Sequence, residues 1–337
     1  MIKGLSLICS RSSRLANFEN ARFMGTSGLS RTEQRKRRND LFEKEKHRQR
    51  EAVGRINKIK VQYSTWNEDL TLLMNQNIST PYDCARHITE GTAKLSALAM
   101  VNGKPWDMHR PLEDECELKL ATMRTPGDRS VNNAFWRTCS LVLGSVVESA
   151  FKDDIEVILH SFIGPNIKSG SFIYDAYMGL ENWEPTLAEL RSISALFVKV
   201  TGASLPVERL EVQTDLALKM FESNPYKSKQ IPDIASHNDD KIILYRIGDY
   251  VDISKGPVIG HTGLIGRSTV AAVHRIQNEN GEALYRFQGV AIPAGILLNH
   301  FTYGILEERA KKLNESIWMP QRVADETEEN IAMAVKN

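Results

Sequence analysis

Eight histidines and four cysteines are the side chains of this 337-residue chain best suited to hold a metal or to act as nucleophiles. Their spacing supports neither task. The histidines stand at 47, 87, 109, 160, 237, 261, 274 and 300, and no two are three or four residues apart. A helical metal clip needs that spacing to place two imidazoles on one face. Cys9, Cys84, Cys116 and Cys139 are scattered without a CxxC pair, so they read as plain thiols of a reducing compartment. No P-loop, strand-linked GxGxxG, HExxH or GxSxG motif occurs. The carboxylate groupings Tyr174-Asp175 and Asp249-Tyr250-Val251-Asp252 sit at expected strand ends, where satisfied structural carboxylates are commoner than acid/base pairs. His87 and His109 stand apart from other ligand types and read as surface or packing residues.

Charge is more informative than ligand chemistry. The chain has 43 Lys+Arg against 42 Asp+Glu, yet residues 1–57 hold 14 of those bases and only 6 of the acids. A basic head therefore precedes an acidic body, a pattern that speaks about partners rather than fold. Within the head, residues 1–30 carry Lys3, Arg11, Arg14 and Arg22 with Glu19 alone opposing them, among serines and scattered apolar residues. That composition predicts a mitochondrial targeting peptide, the alternative being a disordered terminus with incidental arginines. No apolar run approaches the roughly 20 residues of a membrane-spanning helix.

Residues 31–57 lack proline and are dense in Glu, Lys, Arg and Gln, which predicts a basic helical extension. Glu33 with Arg37, and Glu43 toward Arg50, offer compensating pairs. Leu41 and Phe42 are its only strongly apolar residues before Val53, so little of it is expected in a core. Arg35, Lys36, Arg37, Arg38, Lys44, Lys46, Arg48 and Arg50 are the candidate RNA-phosphate contacts, against the alternative of a solvated linker.

The elements that follow predict two α+β units. Ile59–Tyr63 and Asp69–Met74 read as strands, Asn75–Asn77 as a turn, and Thr80-Pro81 as the capped start of a helix. Leu95–Val101 and Glu117–Thr122 are further strands, with Asn102-Gly103 as a hairpin turn. After a boundary at Thr125-Pro126-Gly127-Asp128, the spacing of Phe135, Cys139, Val142, Val146 and Ala150 predicts a buried helix. Strands are expected over 155–162 and 169–177 around a Gly164-Pro165 turn, then helices over 187–202 and 212–223. Strands over 242–253, 269–276 and 283–292 follow, with an Asn280-Gly281 turn, giving one mainly antiparallel sheet. A polar helix from about Glu307 and an acidic tail, 319–337, end the chain.

Several stretches resemble a known family. TPYDCA, VNGKPWD and RPLEDECELKL resemble the TGS domain, a ubiquitin-like β-grasp module at the front of threonyl-tRNA synthetase. GPNIKSGSFIYD, LPVERLEV, YRIGDYVDISKGP, HTGLI and YRFQGVAIP follow in the order found in that enzyme's editing domain. The resemblance implies a TGS-like module over 58–124 and an editing-like domain over 130–318. In the enzyme, an HxxxH helix and a CxxxH loop gather four ligand-type side chains around a hydrolytic water. Here the first motif falls on Arg137 and Leu141, and the second on Ser254 and Val258. All four positions are degenerate. No metal, cofactor, small-molecule substrate or catalytic residue is therefore expected, and the sequence stops where the synthetase's aminoacylation core is expected to begin.

A targeting peptide, a basic helix with the run RNDLFEKEKHRQ, a TGS module and a disabled editing domain together resemble the L-thirty-nine family of mitochondrial large-subunit ribosomal proteins. The resemblance implies a non-catalytic constituent of the ribosome in the mitochondrial matrix, with large-subunit rRNA and neighbouring ribosomal proteins as partners. Two alternatives stand beside it. One is a free-standing tRNA-editing hydrolase using Asp252 and His261 with Lys255 nearby; the other is a TGS-type RNA-binding regulator.

Overall fold

The structure, a computed structural model, describes residues 29–64, 69–125, 129–162, 164, 169–278 and 281–316. The expected targeting peptide (but for its last two residues), Cys9, Pro165, Asn280 and the acidic tail lie outside the described residues.

Helix α1, Arg31–Ala52, starts at a capping box: the Ser30 hydroxyl accepts from the Glu33 N–H while the Glu33 carboxylate accepts from the Ser30 N–H. Glu33 thus serves the helix end and not the pair with Arg37 that its spacing suggested. A β-grasp sheet follows, built from β1 (Lys58–Ser64), β2 (Asp69–Asn75), β3 (Ser96–Val101), β4 (Lys104–Trp106) and β5 (Cys116–Thr122) in the order β2-β1-β5-β3-β4. β1 runs parallel to β5 and antiparallel to β2, and it alternates exposed and buried residues as a one-face-buried strand must. Helix α2, Pro81–Ile88, covers the sheet and opens as its sequence requires, with Thr80 and Asp83 in a capping box and Pro81 in the first turn. Asn102 and Gly103 both adopt positive φ in the β3–β4 hairpin. The short helix α3, Glu90–Leu95, and strand β4 were not evident from sequence pattern.

The larger unit is organised around α4, Arg129–Ala150, which is buried on almost every face. It packs on β6 (Val157–Ser161), β7 (Phe172–Met178) and α5 (Leu187–Gly202). Two antiparallel sheets replace the single sheet expected. One runs β11-β12-β7-β6, with β11 at Ile265–Gln277 and β12 at Ala283–Pro293. The other runs β10-β9-β8, with β8 at Val207–Gln213, β9 at Lys241–Ile247 and β10 at Tyr250–Ile253. The strand expected across 242–253 is a hairpin, because Gly248, at a φ of 62°, turns the chain in two residues. The helix expected from 212 begins only at Thr214: α6 is Thr214–Met220, and the stretch before it is β8. Helix α7, Pro225–Ser236, carries Pro232 internally, which hid it from pattern reading. The last helix, α8, spans His300–Lys311 and so starts a full two turns earlier than expected.

The main core runs from α4 and the four-stranded sheet into Ala97, Leu98 and Ala121 of the β-grasp sheet, so the two units share one apolar interior. A separate cluster joins Phe42 of α1 to α6, α7 and the three-stranded sheet. Phe42 is fully buried, contrary to the expectation that the arm leaves little in a core. Replacing it with Ala is expected to destabilise the protein by about 3–5 kcal/mol, the usual range for a buried Phe. Urea denaturation reads the loss, and faster tryptic release of the arm shows that it falls on α1.

Candidate functional site

The two segments on which the resemblance places the four motif positions lie against each other. Arg137 and Leu141 lie on α4, and Ser254 and Val258 on the segment after β10. The Arg137 guanidinium donates to the Pro257 carbonyl at 2.9 Å, and the Ile259 N–H donates to the Thr138 hydroxyl at 3.0 Å. Leu141 and Val258 belong to the same apolar core, and all four residues are buried. A guanidinium, a hydroxyl and two aliphatic chains offer neither the neutral imidazole nor the thiolate that a hydrolytic metal needs. Among the described residues, no group of three His, Cys, Asp or Glu side chains is arranged to hold a metal ion.

Asp252 is the carboxylate nearest in sequence to this segment, and its oxygens are fully engaged. Oδ2 accepts from the Tyr174 hydroxyl at 2.6 Å and the Tyr250 hydroxyl at 2.8 Å. Oδ1 accepts from the Ile253 N–H at 2.8 Å and pairs with the Lys227 ammonium at 2.8 Å. Four donors on a carboxylate's four lone-pair sites leave none to orient a water. Burial, reinforced by the Asp252 charge, pushes both tyrosines well above their ordinary range, so they stay protonated donors. Gly144 of α4 makes room for them: a Cβ there would lie 2.4 Å from the Tyr174 ring and from the Tyr250 hydroxyl. Asp175 is likewise held, by two 2.8 Å bonds from Arg286. The alternative hydrolase set is not assembled: Asp252 is buried, Lys255 is exposed, and the His261 ring bonds the Lys94 carbonyl at the end of α3.

The segment 254–261 serves as the seam between the two units. Asp107, from the VNGKPWD stretch, accepts from the Val258 N–H at 2.8 Å and the Tyr245 hydroxyl at 2.9 Å, with Arg209 at 3.5 Å. Burial raises its carboxyl above the ordinary range, against the opposing pull of Arg209 and these donors. His109 bonds the Gly260 carbonyl at 2.9 Å, and the Gly260 N–H donates to the Ala97 carbonyl at 3.0 Å. His109 is therefore a packing residue, held neutral because burial lowers its pKa.

The basic arm turns much of its charge inward. Arg38 pairs with the buried Glu148 of α4, and Arg35 lies 3.9 Å from the same carboxylate and 2.5 Å from Asp249. Burial alone would lower the Arg38 pKa, but the charge and hydrogen bond of Glu148, with Tyr250 and Asp252 behind them, together raise it and the guanidinium stays ionised. Arg37 pairs with Glu222 and Lys46 with Glu208. In return Arg246 of β9 reaches Glu43 at 2.6 Å and stacks 4.6 Å over the Phe42 ring. Arg31 donates to the Phe151 and Lys152 carbonyls at 2.6 and 2.7 Å, closing the C-terminal end of α4. Arg48 pairs with Glu45 one turn back. Lys36, Lys44 and Arg50 stay exposed and make no ion pair among the described residues.

A cavity of about 580 Å³ lies elsewhere, lined by His160, Asp175, Tyr226, Glu282 and Arg286 among others, and by none of the four degenerate positions. Burial, helped by the Lys227 and Arg286 charges, depresses the His160 pKa from 6.5 to about 4. The folded state thus favours the neutral ring, and the stability this confers is present above pH 6.5 and lost as pH falls toward 4. Thermal melts across that window are expected to fall less steeply for His160→Gln than for the parent chain. Arg38→Ala leaves the buried Glu148 only the more distant Arg35 as a cation, with an expected loss of about 3–5 kcal/mol in denaturation.

Residues 75–122 match the TGS domain family. The chain is 50% identical over 278 residues to "Large ribosomal subunit protein mL39" of Drosophila melanogaster, covering 82% of this chain and 84% of that protein. It is 31% identical over 225 residues to "Threonine--tRNA ligase, mitochondrial" of Homo sapiens, covering 65% of this chain and 29% of the ligase. A similar 31% over 222 residues relates it to "Probable threonine--tRNA ligase 1, cytoplasmic" of Dictyostelium discoideum, again with 29% of the ligase covered. The chain thus covers 29% of each ligase but 84% of the ribosomal relative, and it belongs to the mL39 family of large ribosomal subunit proteins.

Proposed function

We propose that the chain works as a non-catalytic structural constituent of the mitochondrial large ribosomal subunit, bound there by rRNA and by neighbouring ribosomal proteins. The observation that carries this reading is the 50% identity over most of both chains to a large-subunit protein. The chain is not an enzyme: the family is ribosomal, and the saturation of Asp252 agrees with that role. Among the described residues no helix is long and apolar enough to cross a membrane.

In this reading the eight candidate contact residues of α1 divide into two sets. Arg35, Arg37, Arg38 and Lys46 fix the helix to the body through carboxylates of the same chain. Lys36, Lys44 and Arg50, with Arg48 beside them, face solvent and supply the charge for rRNA phosphates. The TGS-like unit, 58–124, and the editing-like unit, 130–318, then act as one rigid platform behind that edge. Residues 1–30 act as the targeting segment and 319–337 as an acidic tail.

Gradient fractionation of mitochondrial lysate tests the assignment. The chain is expected in the large-subunit fractions at moderate salt; a pool sedimenting apart from them would favour the RNA-binding regulator instead. Reversing Lys36, Lys44 and Arg50 to Glu should weaken association while leaving the melting profile intact. For every phosphate deprived of its cation, the slope of log affinity against log salt should fall by about 1. Unchanged salt dependence would remove the arm from the rRNA interface without touching the ribosomal assignment.

A further inference from the structure

The two most exposed large apolar residues of the described chain, Leu297 and Phe301, lie just before and at the start of one element, α8. Leu297, Phe301 and Ile305 are 94%, 78% and 55% exposed, and they follow one another at intervals of four residues into and along α8. Phe301 and Ile305 lie one turn apart, about 6 Å along the axis, so their side chains form a single row. Ile296 widens the row at its start, where Gly295 turns the chain at a φ of 79°. The opposite side of α8 is committed to the fold: Tyr303 and Ala310 are buried against Ala271, Val290 and Ile292. α8 is thus apolar on two sides, and the body uses one of them.

The rim of the exposed row is basic. Arg124 donates to the Gly295 carbonyl at 2.9 Å and so stands at one end of the row. Arg267 stacks 3.8 Å over the Tyr303 ring beside its middle, and Lys312 follows α8 at the far end. None of these three makes an ion pair among the described residues. The nearby acids are engaged, Glu307 with the Thr269 hydroxyl at 2.7 Å and Glu308 with Lys311 at 2.5 Å. Three of the four exposed apolar residues are aliphatic and have no π face on which a nucleobase could stack. Those aliphatic residues favour protein over RNA, and the rim charge selects a partner of opposite sign.

We propose that the surface formed by Phe301 and Ile305 of α8, with Leu297 just before the helix, docks an amphipathic segment of another protein of the large subunit, one that lays an apolar row on this surface and carboxylates against Arg124, Arg267 and Lys312. The proposal rests on the ribosomal reading above, which supplies the particle in which that partner is found. It goes beyond that reading by naming the surface and the chemistry of what covers it.

Full-length chain carrying a photo-crosslinking p-benzoylphenylalanine at Phe301 provides the test, with large subunits isolated by gradient and then irradiated. The expected product is a ribonuclease-resistant adduct to one particle protein, whose crosslinked peptide combines spaced aliphatic residues with flanking Asp or Glu. Adding Arg124→Glu and Lys312→Glu should cut its yield about tenfold through like-charge contact at the rim. An adduct to rRNA, to a second copy or to the chain's own residues 317–337 overturns the proposal. So does a chain that enters the particle yet gives no adduct, or an adduct indifferent to the rim reversal. A chain absent from the particle altogether defeats the ribosomal reading first, which keeps the two failures apart.

Discussion

A carboxylate inside a protein must be matched by a cation that has also left water, and Glu148 sets that condition for this fold. It lies near the end of α4, the most deeply buried helix, with no basic residue of its own helix pairing with it. Its cation comes from α1, more than a hundred residues earlier, as Arg38 with Arg35 behind it. The arm is therefore a structural part of the body. Phe42, Arg246 and the Arg31 contacts at the end of α4 then follow as the packing around that pair. Asp252 obeys the same rule with Lys227, and Asp175 with Arg286.

These internally matched charges suit a structural part better than a catalytic one. A catalytic carboxylate must keep at least one lone pair for substrate or water, and a catalytic loop must be open to one of them. Asp252 has no such lone pair, and the segment from Ser254 to His261 is tied to the β-grasp unit through Asp107, Ala97, Lys94 and His109. The apolar core beneath these contacts joins the two units into a single interior. A joined interior suits a component of a large particle, where holding a shape matters more than admitting a ligand.

The amino-acid sequence disclosed what depends on local chemistry. The Thr80-Pro81-Asp83 helix start, the Asn102-Gly103 hairpin and the apolar period of α4 all act within a few residues and were legible. Motif order pointed to the segments of Arg137 and Val258, and the structure brings those two segments into contact. The partners of Arg35, Arg37, Arg38 and Lys46 were not, since a charge run shows its sign and nothing of what faces it across the fold. β8 escaped because VERLEVQ interleaves charges with apolar residues over a stretch continuous with a helix, and only pairing with β9 fixes its register. α7 escaped because Pro232 interrupts its pattern while the turn around it stays helical.

The position of Ser30 and Arg31 also limits how the N-terminus can be trimmed. Ser30 supplies the hydroxyl that closes the first turn of α1, and Arg31 supplies the guanidinium that closes the last turn of α4. A peptidase that removed the residues ahead of them would leave both helix ends intact. One that cut just beyond Arg31 would leave bare N–H groups at the start of one helix and bare carbonyls at the finish of the other, loosening the arm at the place where it begins.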